Sequence, residues 1–257
     1  MSLEIAPFAP MLRAQTKVEF IRLLRNPWFS IASIAFPVMF YAFFGLTQAN
    51  EPYMNATVGL YLLASFGAYA VMTIALFSFG ASVAAERGSG NTRLMRAAPL
   101  RPFAYFAGKF IASMAFGGIA VLLLVLFARL AGGVSMPLPM LGLLLARLLL
   151  GSLPFIALGF AIGYLVGLNA AVAVLNLITL PLAFASGMLV PLAQLPSFVQ
   201  SIAPYLPTYH FAQLAWGALG ATSEAWPLAA LWLAGYSVAF IGIALRAYYR
   251  EERKEFA

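Results

Sequence analysis

From Pro52 to Ala85 the chain carries no charged side chain, and Glu51 and Glu86 bracket the run. A helix needs about 20 predominantly apolar residues to cross the hydrocarbon core, where no water satisfies an exposed peptide group. This run is longer than that, so it can tilt or project beyond the bilayer. A span from about Ala56 to Ala85 is therefore expected. Only 9% of the 257 residues are charged and 63% are hydrophobic, whereas soluble domains carry roughly 25% charge. So few charges do not cover a water-facing surface, and the chain reads as an all-α integral membrane protein with a single transmembrane domain over 1–257.

Other apolar runs complete the set. WFSIASIAFPVMFYAFFGLT, residues 28–47, follows Asn26 and Pro27, which suit an N-cap and a first helical position. Pro37 should kink it. A third span is expected from Phe110 to about Ala131. The stretch from Leu143 to Val190 is too long for one crossing, and Gly167-Leu168-Asn169 offers a hinge between spans four and five. Trp226 to Tyr249 is the sixth. The N-terminus shows no signal-peptide pattern before Asn26, so no cleaved leader is expected.

Charge placement orients these spans. Arg13, Lys17, Arg22 and Arg25 precede the first. Arg87, Arg93, Arg96, Arg101 and Lys109 separate the second from the third, and Arg246, Arg250, Arg253 and Lys254 follow the last. These groups hold 13 of the 15 basic residues, and six crossings put all of them on one side. The positive-inside rule then places both termini and the 86–109 loop in the cytoplasm. The net charge of +7 is thus a matter of topology, and no nucleic-acid partner is expected. Arg129 and Arg147, expected near the outer ends of their spans, either snorkel to the headgroups or pair with outer-leaflet phosphates or a substrate anion.

Several chemistries find little support. The chain has no Asp, and none of its eight Glu falls in mid-span, so a proton- or sodium-coupled carrier lacks its buried carboxylate. Metal-dependent transferases need carboxylate clusters, and no metal site is expected. No Cys is present, which excludes disulfides. An intramembrane serine protease would pair Ser186 with His210, the single histidine, but His210 falls in an outer loop and is expected to hydrogen-bond locally. RGSGNTR, at 87–93, lacks the spacing and lysine of a phosphate-binding loop, so ATP, if used, is handled by another polypeptide.

Three segments resemble one family. ERGSGNTRLMRAAPLRP, residues 86–102, is similar to the cytoplasmic loop of the type-2 family of ATP-binding-cassette exporter permeases: an acidic-basic pair (Glu86-Arg87), a Gly-Ser step (Gly88-Ser89), Leu94 and Pro99. SGMLVPLAQLPSFVQSIAPYLPTYHFAQLAWGALG, residues 186–220, resembles the region after the family's fifth span, and KVEFIRLLRNP, residues 17–27, its entry into the first.

The resemblance implies a permease that dimerises with a second copy of itself, binds two copies of an ABC ATPase and exports its cargo from the plasma or bacterial inner membrane. ATP and Mg would reside on the ATPase, and this chain would bind no cofactor and catalyse no reaction. A short helix over 91–97 would dock on the ATPase, with Arg93 and Arg96 on one face and Leu94 and Met95 on others. Glu86, Arg87, Gly88 and Pro99 complete that coupling segment. The alternative is that its arginines only fix topology and touch lipid phosphates.

Residues 1–26 should hold an interfacial helix, with Lys17, Glu19, Arg22 and Arg25 at the entry to span one. Its apolar residues share no single face, which suggests contacts on several sides with lipid, partner and span two. An ion pair from Glu86 to Arg22 or Arg25 is expected. Residues 191–225 should form short helices dipping into the outer leaflet, broken at Pro191, Pro196, Pro204 and Pro207. By resemblance this region, with Ser186 and Gly187, is an outer lid. The alternative is an interfacial loop anchored by Tyr205, Tyr209 and Trp216. The family's substrate path runs along spans one, two and five, which nominates Phe36, Phe40, Phe44, Tyr69 and Asn176. Few charges there favour an amphipathic or hydrophobic cargo such as a drug, antibiotic or lipid-like compound; a lipid-linked glycan or polysaccharide is the alternative.

Overall fold

The computed structural model describes residues 7–89, 102–222 and 224–255. Arg93, Leu94, Arg96 and Pro99 lie outside the described residues. The fold is a bundle of ten α-helices among the described residues, six of its segments being long and apolar enough to cross a membrane. Helix α1 (Phe8–Leu24) leads into α2 (Pro27–Phe40). The expected cap is present: Phe29 N–H donates to the Asn26 side chain at 3.3 Å. Pro37 lies inside α2, and the helix widens into a π-turn over Tyr41–Gly45. Gly45 is required there, because a Cβ would lie 2.7 Å from the Tyr41 ring.

A two-residue turn at Met54-Asn55 joins the short antiparallel strands β1 (Pro52–Tyr53) and β2 (Ala56–Thr57). Thr57 then caps α3 (Val58–Gly88) by accepting from Leu60 N–H at 3.3 Å. Helix α3 is the axis of the molecule: 83% of its most apolar 18-residue window is buried. It packs against α4 (Pro102–Gly132), α6 (Leu153–Leu165) and α7 (Leu168–Ala185). Small residues allow the closest of these approaches. A Cβ on Gly159 would meet the Leu76 carbonyl at 2.5 Å, and one on Gly163 the Gly80 carbonyl at 2.9 Å.

Helix α5 (Leu138–Gly151) and α6 form one crossing with a break at Ser152, which the sequence pattern did not suggest; Pro154 in the first turn of α6 favours that restart. The hinge at Gly167 is present and caps α7 in extended conformation. Helix α7 ends in a Schellman motif: Gly187 has φ +82°, and Met188 N–H donates to the Ala183 carbonyl at 3.2 Å. Two short helices follow, α8 (Ser197–Ile202) and α9 (Pro207–Gly217), before α10 (Trp226–Glu255).

The helices reach further than expected at both ends of 86–109. Helix α3 continues through Gly88, and α4 begins at Pro102 rather than Phe110. Proline at a first helical position is pre-organised for helix and forfeits no bond, so Pro102 opens α4.

Candidate functional site

At the end of the bundle where α3 ends and α4 begins, three helices bring charges together. Lys109, in the second turn of α4, has only 2% of its side chain exposed. Its Nζ lies 2.9 Å from Glu86 Oε1 of α3, 3.2 Å from Glu19 Oε2 of α1 and 2.6 Å from Ser82 Oγ. Arg22 pairs with Glu19 at 3.1 Å and also with Glu86, while donating to Ser82. Ser82 Oγ–H donates to Glu86 Oε1 at 3.2 Å, and Tyr105 OH donates to Glu86 Oε2. Gln15 closes the far side of Glu19 at 3.1 Å. Two carboxylates thus face two cations, and the network is neutral.

Neutrality matters because each ion costs several kcal/mol to desolvate and is tolerated only when paired and hydrogen-bonded. Burial disfavours the Arg22 charge, but Glu19 and then Glu86 favour it more, so its pKa rises above the ordinary arginine value. The approach depends on Gly108, where a Cβ would lie 2.6 Å from Gln15 Cγ and 3.0 Å from Thr16 N. The expected Glu86–Arg22 pair is therefore present, whereas Arg25 and Lys17 are exposed. Lys109, Ser82 and Tyr105 were missed as members of the site. The available signal was Pro102, which moves the helix start back and puts Lys109 inside it.

Arg87 faces the other way. Its Nη1 donates to the Gly163 carbonyl at 2.7 Å and, more weakly, to Val166 at 3.4 Å, at the C-terminus of α6. Its Nη2 pairs with Glu251 of α10, and the guanidinium lies 5.2 Å from the Tyr164 ring centroid. A cation suits the unpaired carbonyls and negative dipole end of a helix. Two consecutive residues thus tie the end of α3 to α1 and α4 on one side and to α6 and α10 on the other.

Between α2, α3 and α7 runs a groove of about 400 Å³, lined by Ser33, Phe36, Tyr69, Thr73, Asn176 and Leu180 among others, none of them charged. Three of the nominated pathway residues converge here: Phe36, Tyr69 and Asn176. Phe40 and Phe44 are not in its wall but extend an aromatic ladder from it, with centroid separations of 5.2 Å (Phe36–Phe40) and 6.1 Å (Phe40–Phe44). Phe40 also stacks on Phe66 of α3 at 5.8 Å.

At the far end, each proline of 191–207 opens or enters a short helix. Pro191 and Pro196 precede turns, Pro204 lies in a 3₁₀ turn and Pro207 starts α9. Trp216 corrects the interfacial-anchor alternative, because it is 5% exposed and donates from Nε1 to Ser65 Oγ of α3 at 2.8 Å. It also stacks on Tyr61 with centroids 5.0 Å apart. Tyr205 remains exposed. His210 contacts Glu224 at 3.0 Å and the Pro204 carbonyl at 2.9 Å, stacked on Trp232, while Ser186 Oγ donates to the Ala183 carbonyl at 3.1 Å. Both are held by other groups, so they form no nucleophile–base pair.

Six segments apolar enough to cross a membrane, a charge network at one end and a charge-free groove describe a multi-pass membrane protein. Residues 46–246 match the family model described as ABC-2 family transporter protein, and the chain belongs to that family. It is similar to the "Putative transport permease YvfS" of Bacillus subtilis (strain 168), with 29% identity over 218 residues covering 84% of this chain and 88% of that one. It is thus the membrane subunit of an ABC transporter in the cell membrane, and permeases of this family work with an ATPase subunit.

Proposed function

We propose that this chain is the membrane half of an ATP-driven exporter, acting as a homodimer with two ATPase subunits that hold ATP and Mg. Its termini and the 86–102 segment face the cytoplasm, where the basic residues gather. The cargo is an amphipathic or hydrophobic compound, which enters the groove between α2, α3 and α7. The observation that carries this reading is the pair Glu86-Arg87. Helix α3 ends at Gly88, and α4 begins at Pro102, seven residues before Lys109. Force applied by an ATPase to the intervening segment reaches α1 and α4 through Glu86 and Lys109, and α6 and α10 through Arg87.

Arg93, Leu94 and Arg96 are proposed to meet the ATPase and Pro99 to end that contact. Lys17 and Arg25, exposed on and just after α1, face partner or lipid. The second copy packs on α2 and α7, whose most apolar windows are each only 22% buried, and the two grooves then line a shared path. The charge-free wall favours apolar cargo over a glycan. Short helices α8 and α9, with Ser186, Gly187 and the three prolines 191, 196 and 204, form the outer lid and dip into the outer leaflet.

Tagged protein co-expressed with its genomic neighbours should retain an ATPase through purification, and leucine-to-aspartate at Leu94 should release it. If no ATPase accompanies the wild type, the proposal fails.

A further inference from the structure

Arg147 has no place in either site described above. It lies on α5, about 14 Å along the helix from Leu138 at 1.5 Å per residue. Arg129, by contrast, is exposed in the last turn of α4, where a long side chain snorkels readily to the headgroups. Arg147 sits more than two turns from its own helix start. Its Nη1 donates to the Leu214 carbonyl of α9 at 3.3 Å, a long contact. Gly217 makes the room, since a Cβ there would lie 2.9 Å from the same Nη1. A guanidinium has five N–H donors, and no carboxylate approaches this one among the described residues. Glu224, on the loop after α9, is engaged by His210.

Arg147 lines a groove of about 420 Å³ between α5, α9 and α10, whose other walls include Leu143, Leu150, Leu153, Ala230 and Ala234. Leu150 and Leu153 are exposed on the outside of the bundle. A cation in such a wall needs an anion, because an unpaired charge in hydrocarbon costs several kcal/mol. The groove offers a long apolar slot beside that single charge. An acyl chain fills the slot and a phosphodiester meets the guanidinium, a charge-assisted contact of the kind arginine favours.

We propose that Arg147 and this groove form a binding site for an anionic phospholipid, its phosphate on Arg147 and one acyl chain along α5 and α10. A headgroup without its own cation neutralises the site, whereas a zwitterionic one carries a competing charge. The site is independent of export direction and cargo.

The test is native mass spectrometry of the full chain in detergent, titrated with phosphatidylglycerol or phosphatidylcholine. One phosphatidylglycerol should bind more tightly than the rest, and Arg147→Gln should weaken it about tenfold, the loss of one charge-assisted contact. Arg147→Lys should keep most of the affinity, and Arg129→Gln all of it. Ala234→Trp, which fills the slot and leaves the arginine, should also lose the lipid; this variant decides if Arg147→Gln does not fold. Unchanged phosphatidylglycerol binding in Arg147→Gln or Ala234→Trp overturns the proposal. So does equal binding of phosphatidylcholine, or loss of self-association in place of lipid, which would assign the groove to a second copy.

Discussion

Lys109 and Arg147 are both cations inside apolar helices, yet their surroundings differ in kind. Lys109 meets two carboxylates and a serine hydroxyl within 3.2 Å, and its ammonium lies 5.1 Å from the Tyr105 ring centroid. Arg147 meets one carbonyl. The first arrangement is complete within the chain and binds three helices together; the second is completed from outside. Buried charge in this molecule therefore marks either an internal joint or a contact surface, and the count of internal partners tells the two apart.

The contrast breaks most visibly in stability. Lys109→Met leaves Glu19 and Glu86 facing each other with Arg22 alone, and should cost about 3–5 kcal/mol. Arg147→Met removes one long hydrogen bond and should cost about 1 kcal/mol or less. Thermal unfolding in detergent separates these outcomes; equal losses would erase the distinction. Glu86→Arg should be nearly as damaging as Lys109→Met. Adding Arg22→Glu should restore only part, because the new arginine still faces Lys109 at a site where Nζ now lies 2.9 Å from a carboxylate oxygen.

A smaller effect is expected at the joint's backbone. Gly108→Ala puts a Cβ 2.6 Å from Gln15 Cγ and 3.0 Å from Thr16 N, so α1 must shift away from α4, and it should cost about 1–3 kcal/mol, as other overpacked contacts do. Smallest in stability are Phe36→Ala and Asn176→Ala, on the exposed faces of α2 and α7. Stability should change by about 1 kcal/mol or less, while vesicle transport of an apolar cargo should show a raised KM. An unchanged KM in both would move the cargo path elsewhere.

Most of the bundle was legible because membrane helices advertise themselves by length and lack of charge. The Asn26-Pro27 cap, the Gly167 hinge and the proline-punctuated 191–207 region also followed from local chemistry. What escaped was polar. Helix α1 buries Glu19 and Leu23, with Gln15 and Arg22 beside Glu19, so its inward face is largely polar and a test for apolar periodicity misses it. Lys109 looked like a loop residue because the helix was started at the first long apolar run rather than at Pro102. The break at Ser152 was hidden by the apolar residues on both sides, LLLG before it and LPFIALGF after it. Glu86 was found because a carboxylate at a span end facing arginines needs a partner, and the three-dimensional fold supplied three more, Lys109, Ser82 and Tyr105.

The most direct measurement is a double-mutant cycle on the joint, read as transport-linked ATPase activity of the assembled complex in proteoliposomes. Glu86→Gln and Arg22→Gln should each reduce stimulation about tenfold while basal hydrolysis and assembly persist, and the double variant should be no worse than either alone. Independent, additive losses, or stimulation unchanged in the single variants, would contradict a coupling role for the pair.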